Sequence, residues 1–268
     1  MLEMDEHEVY PNAPVVLVAL EIRHPTADVL TPTEGRALKQ LLSDQLPIER
    51  SGQVLGLQFT PSSSTPATTT EHFPRYMNRE MTLAVSVRKE ALTVEASRYT
   101  GWHEFMTLAI HALDARMKIA PISGIERVGL RYINEIRPPR ETEIDWSQWI
   151  HSSLLGPGTV SAIALPLQQW QGLGIYGSPP GNMLALRYGT REGFAVDPTS
   201  DLRRVSSSDG SLFFLVDIDS FWTAEGPVPE YDREMLGSIS EALHEPVRVL
   251  FESMITDKLR NEVFRSDA

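Results

Sequence analysis

The segment Ile125 to Ile136 carries the residues of this chain best suited to binding chemistry. Strand alternation puts Val128, Leu130, Tyr132 and Ile136 on one face and Arg127, Gly129, Arg131 and Glu135 on the other. At ~3.3 Å per residue Arg127 and Arg131 stand ~13 Å apart along that face, and Gly129 between them leaves a gap where a ligand or another backbone could approach. Guanidinium forks suit carboxylate and phosphate groups, so Arg127, Gly129 and Arg131 form the candidate ligand-binding set. The competing reading is an arginine ladder paired with acids on neighbouring strands. A chain with 36 Asp and Glu can supply them, and structural ion pairs are commoner than sites.

Other chemistry is harder to find. Asp217 and Asp219 lie two apart on a predicted strand and share a face, as a metal pair or carboxylate dyad requires, but a solvated sheet face gives the same spacing. Gly172-Leu173-Gly174-Ile175-Tyr176-Gly177 matches the dinucleotide fingerprint by its letters. Ser178-Pro179-Pro180-Gly181 follows where a helix must open, so a glycine-rich strand and turn is the better reading. The chain has no phosphate-binding P-loop and no Gly-x-Ser-x-Gly elbow, and its seven histidines lack metalloprotease spacing. His244, just before Pro246, could titrate or could satisfy a carbonyl freed by the proline. Trp146, Trp149, Trp170 and Trp222 could cage a cation or pack in the core. No catalytic residue, metal site or cofactor is expected.

The elements that must position these residues follow from periodicity and punctuation. Val15 to Arg23 reads as a strand, and Thr31-Pro32-Thr33-Glu34 opens a helix whose stripe Leu38, Leu41, Leu42, Leu46 ends at Pro47. Gln53 to Thr60 reads as a strand, and the Ser/Thr/Pro run Pro61 to Thr70 as a mobile loop. Met81 to Val87 and Leu92 to Ala96 form a hairpin, and Trp102 to Met117 an amphipathic helix. The Pro138-Pro139 pair after the Ile125 to Ile136 strand marks a boundary near residue 140. Beyond it, Val160 to Leu167, Leu173 to Tyr176, Met183 to Tyr188 and Leu212 to Ile218 read as strands of an antiparallel meander. A helical stripe then runs from Tyr231 past Pro246, where a kink or break is expected. Both halves thus have strands followed by a long helix.

Three stretches have a further significance together: Tyr10-Pro11-Asn12-Ala13-Pro14, Arg127-Val128-Gly129-Leu130-Arg131-Tyr132-Ile133-Asn134 and Phe251-Glu252-Ser253-Met254-Ile255-Thr256-Asp257. With Asp217-Ile218-Asp219 they resemble the sporadically distributed bacterial TIGR04255 family, in order and spacing, from Tyr10 to Leu259. No activity, cofactor or catalytic residue is attached to that family, so the resemblance implies one shared fold and transfers no site. Its patchy distribution implies mobile genes such as defence or toxin–antitoxin modules, by association only.

Composition bounds the rest. The 268 residues are 41% hydrophobic and 22% charged, as in ordinary globular proteins. Without cysteine the chain has no disulfide, thiol nucleophile or cysteine-ligated metal. A net charge of −12 disfavours general nucleic-acid binding and permits a basic partner, such as the toxin of an antitoxin. The acidic Met1 to Glu8 and the short apolar run Val15 to Leu20 are unlike a secretory leader or a membrane span, so a cytoplasmic location without membrane association is expected. The sequence predicts an α+β protein: antiparallel sheets covered by helices, two similar halves (1–140 and 141–268) packed as one unit, and a long kinked C-terminal helix. The expected role is non-catalytic binding or regulation with a protein partner. The alternative is a protein or enzyme holding a small anionic ligand in a pocket between sheet and C-terminal helix.

Overall fold

The computed structural model describes residues 8–58, 67–139, 144–159, 167, 169–178, 181–205 and 210–266. The first strand, β1 (Val15–Arg23), alternates half-exposed and buried residues as its β-branched run requires. Helix α1 (Pro32–Leu42) begins on a capping box: Glu34 N–H donates to Thr31 Oγ1 and Thr31 N–H to Glu34 Oε2 at 2.7 Å, with Pro32 opening the first turn. Four strands follow as a meander, β2 (Ile48–Gln58), β3 (Ala67–Met77), β4 (Leu83–Val87) and β5 (Ala91–Ala96), and then helix α2 (Trp102–Ile119). The second half repeats the scheme. Strand β6 (Arg127–Ile136) leads through 3-10 turns between Trp146 and Thr159 to β7 (Gln171–Tyr176), β8 (Met183–Arg191), β9 (Phe213–Thr223) and helix α3 (Arg233–Met254).

The nine strands of the described residues lie in one antiparallel sheet, ordered β2-β3-β4-β5-β1-β6-β9-β8-β7. In each half the last meander strand returns to pair with the first, β5 on β1 and β9 on β6, and the two first strands join at the centre. The expected sheets are therefore a single sheet, continuous across residue 140. A chain cut there would leave the β6 edge facing solvent where β9 now pairs.

The three long helices cover one face. Val18, Leu20 and Ile22 of β1, Val128 and Leu130 of β6 and Val216 and Ile218 of β9 pack with Leu38 of α1, Phe105 and Leu113 of α2 and Leu243 and Val247 of α3. Helix α3 starts on Asp232, whose carboxylate accepts from Met235 N–H at 2.7 Å. It runs through Pro246 without a break, although the proline withholds an N–H from the carbonyl of Ala242. No helix among the described residues is long and apolar enough to cross a membrane.

One other expectation changes. Ala67 to Thr70 pairs with Leu55 to Gln58 as the start of β3, because β-branched threonines suit an extended ladder even in a Ser/Thr-rich run. The rest of the expected loop, and all but the last residue of the expected strand Val160 to Leu167, lie outside the described residues.

The stretches that carry the family resemblance meet in space. The Tyr10 hydroxyl donates to Glu252 at 3.1 Å, its ring packs on Phe264, and Asn12 Nδ2 donates to the Ser266 carbonyl at 2.5 Å. Glu252 also receives Arg260 Nε at 3.0 Å. Val15, immediately after Pro14, pairs with Asn134 of β6.

Candidate functional site

The face of the sheet opposite the helices carries the candidate residues, because alternation that buries Val128, Leu130 and Tyr132 must turn Arg127, Gly129 and Arg131 the other way. Arg131 meets acid from β9, and Arg127 meets acids from both β1 and β9. Arg131 Nε and Nη2 donate to the two oxygens of Asp217 on β9, both at 2.7 Å, in a bidentate fork. Asp217 has a side chain only 6% exposed, while Arg131 is 45% exposed. Arg187 of β8 approaches the same carboxylate from the far side, 3.8 Å from Asp217 Oδ2. The Asp217 hydrogen bonds hold the Arg131 guanidinium above its already high range.

Arg127 pairs with Glu21 of β1 at 3.2 Å and lies 3.9 Å from Asp219. Its guanidinium also sits over the Phe221 ring, 4.7 Å from the centroid. Burial pushes the Asp219 carboxyl up, against the pull of Arg127 and Arg131. The gap expected above Gly129 is filled: a Cβ there would come within 2.6 Å of Arg127 Nη1. Glycine at 129 thus lets the arginine of the same strand fold flat across the sheet and stack on Phe221, directly opposite in the ladder. The aspartates share a face as predicted, but arginines engage them, and no metal-holding group of three His, Asp or Glu occurs among the described residues.

One half of this face is covered. The segment 193–205 straps across it, anchored on Glu135, a residue whose side chain is 1% exposed. Glu135 receives the Ala195 N–H at 2.7 Å, Arg204 Nη1 at 2.8 Å and Arg137 Nη2 at 2.7 Å. Burial drives its carboxyl up, but the hydrogen bonds from Arg204, Ala195 and Arg137 outweigh that and hold it below the ordinary value of 4.5. Beneath the strap, Ala195 and Val196 pack on Val16, Ile133, Phe213 and Leu215, and Leu202 packs on Met77 and Ala84. Sequence alternation put Glu135 on the correct face without marking it. The signal was Arg137, two residues on and so on the same side.

The remaining candidates separate. His244 is buried and stacked on Trp102, ring centroids 4.1 Å apart. Trp146 and Trp170 pack on Phe214, and Trp149 takes Lys258 Nζ over its ring at 4.6 Å, so the tryptophans form no common cage. In the glycine-rich segment Gly172 makes room for the Tyr188 ring, and Gly177, at φ 89°, turns the chain from β7 into β8. That is strand and turn chemistry, without the helix a dinucleotide needs.

At the far end of the outer face β7 carries exposed apolar side chains. Leu173 and Ile175 stand there at 63% and 57% exposure, and Leu173 lies opposite Arg187. The sequence pattern could not weigh these two, since exposure on a β7 face depends on what lies beside it. Comparison of the chain with known protein families and with characterised proteins finds no match to either.

Proposed function

We propose that this chain is a non-catalytic binding or regulatory protein that recognises a partner protein through the β7 end of its outer sheet face. The observation that supports it is the juxtaposition there of exposed Leu173 and Ile175 with the half-exposed guanidiniums of Arg187 and Arg131. Arginine beside large apolar side chains is the composition that carries interface energy. Arg131 spends Nε and Nη2 on Asp217, which leaves Nη1 directed elsewhere, and Arg187 reaches Asp217 only at 3.8 Å. The partner that fits is a protein segment with apolar side chains next to a carboxylate. The net charge of −12 does not forbid it, because a Debye length of about 8 Å screens all but the contacting groups. Placement in a bacterial defence or toxin–antitoxin module rests on the family resemblance, and a cytoplasmic location belongs to the same reading.

The test is capture from native cells by the wild type and by a Leu173→Asp/Ile175→Asp variant. Exposed positions of an edge strand tolerate such changes within about 1 kcal/mol, so the two proteins should melt alike. A stoichiometric partner held by the wild type and reduced more than tenfold on the variant is the expected result. A partner held equally by both, or none held by the wild type, would overturn the proposal.

A further inference from the structure

Arg116, in the last turns of α2, is 2% exposed, yet its Nε and Nη1 find no hydrogen-bond acceptor among the described residues. Buried polar donors are nearly always paired, and a buried cation without a counter-charge has lost its hydration for nothing in return. Burial lowers the guanidinium's proton affinity, and the acid acting against this is Glu34, which is occupied in the α1 capping box. A second buried group without a partner, His24 Nε2, lies within the field of Arg116. Its other nitrogen bonds the Pro25 carbonyl at 2.8 Å, and burial favours the neutral ring.

Arg116 lines a narrow cleft of about 20 Å³, open at its mouth, between the β1–α1 connection at Asp28, the β3 segment at Glu71 and Phe73, and the β4–β5 turn at Arg88 and Lys89. The charges around it favour an anion. Glu71 is already engaged, accepting the Lys89 backbone N–H at 3.1 Å and pairing with Arg88 Nη2 at 3.6 Å. Asp28 is exposed at the rim and makes no described ion pair, so three cations face two carboxylates in a chain that is acidic overall. We propose that this cleft is a binding site for the phosphate or carboxylate group of a small anionic ligand, with Arg116 as its buried counter-charge and Lys89 and Arg88 at its mouth. The site lies apart from the outer sheet face, and its occupancy does not depend on the partner proposed there.

Thermal melting at fixed ionic strength, with chloride exchanged for inorganic phosphate or for acetate, tests it. One of the two oxyanions should raise the melting temperature with the logarithm of its concentration, by about 5 °C or more at a hundred times its Kd, and the responding arm identifies the ligand class. Arg116→Met should abolish the shift and, without the anion, melt no lower than the wild type, since it removes an uncompensated charge. Lys89→Gln leaves the core intact and should weaken the response about three- to tenfold. The proposal is overturned if neither oxyanion exceeds chloride or if Arg116→Met keeps the shift. It is equally overturned if Arg116→Met melts far lower in chloride, as it would were an internal water already satisfying the arginine. An unchanged response in Lys89→Gln overturns it as well.

Discussion

Glu135→Ala is expected to destabilise the protein by about 3 to 5 kcal/mol, the range found when one partner of a buried ion pair is removed. For a chain of this size that corresponds to roughly 10 °C in melting temperature. The carboxylate is almost wholly buried and receives Arg204, Arg137 and the Ala195 N–H together, so its loss removes the one negative charge that both guanidiniums and the backbone donor meet there. The strap 193–205 should then become the first site of proteolysis, since what remains beneath it is a small apolar cluster. The pH dependence has a definite sign. Glu135 has a folded pKa held below 4.5, so its contribution is present in full above that value and is lost as pH falls through the lower, folded one. Wild type and Glu135→Gln should therefore differ most near neutrality and converge as pH is lowered beyond 4.5. A melting temperature for Glu135→Ala within 2 °C of the wild type would show that the strap is held by its apolar contacts alone.

Replacing both Arg127 and Arg131 by Met is expected to lower stability by about 2 to 4 kcal/mol. The larger share comes from Arg131, whose removal leaves the buried Asp217 carboxylate, among the described residues, with the more distant Arg187 as its cation. The effect falls short of a fully buried pair because Arg131 is half-exposed and solvent screens it. Arg127 adds the loss of its stack on Phe221 and of its pair with Glu21. Adding Asp217→Asn to Arg131→Met should recover part of the loss by removing the stranded charge, with a coupling of about 1 kcal/mol or more in a double-mutant cycle. Chemical denaturation of the four proteins decides it. Additive single effects would mean that the fork seen between these residues contributes nothing to stability.

The residues themselves determined most of the local structure. The β-branched run at Val15, the Thr31-Pro32 helix start, the three- and four-residue spacing from Trp102 to Met117 and the alternation from Arg127 to Ile136 each encode which face of an element is apolar. Burial in a two-layer protein then follows with little freedom. That Arg127, Gly129 and Arg131 share a polar face was legible for the same reason. Which acids they meet was not. Arg131 joins Asp217 across 86 positions of chain and Arg127 joins Glu21 across 106, contacts that exist only because β6 lies between β1 and β9. Periodicity specifies a face but carries no record of the neighbouring strand, so the sheet order, the filling of the Gly129 gap and the anchoring of the strap on Glu135 were decided by tertiary pairing. Arg116 shows the same division: its place in an amphipathic helix was written in the sequence, and its burial without a partner arose only when β3 and the β4–β5 turn closed around it.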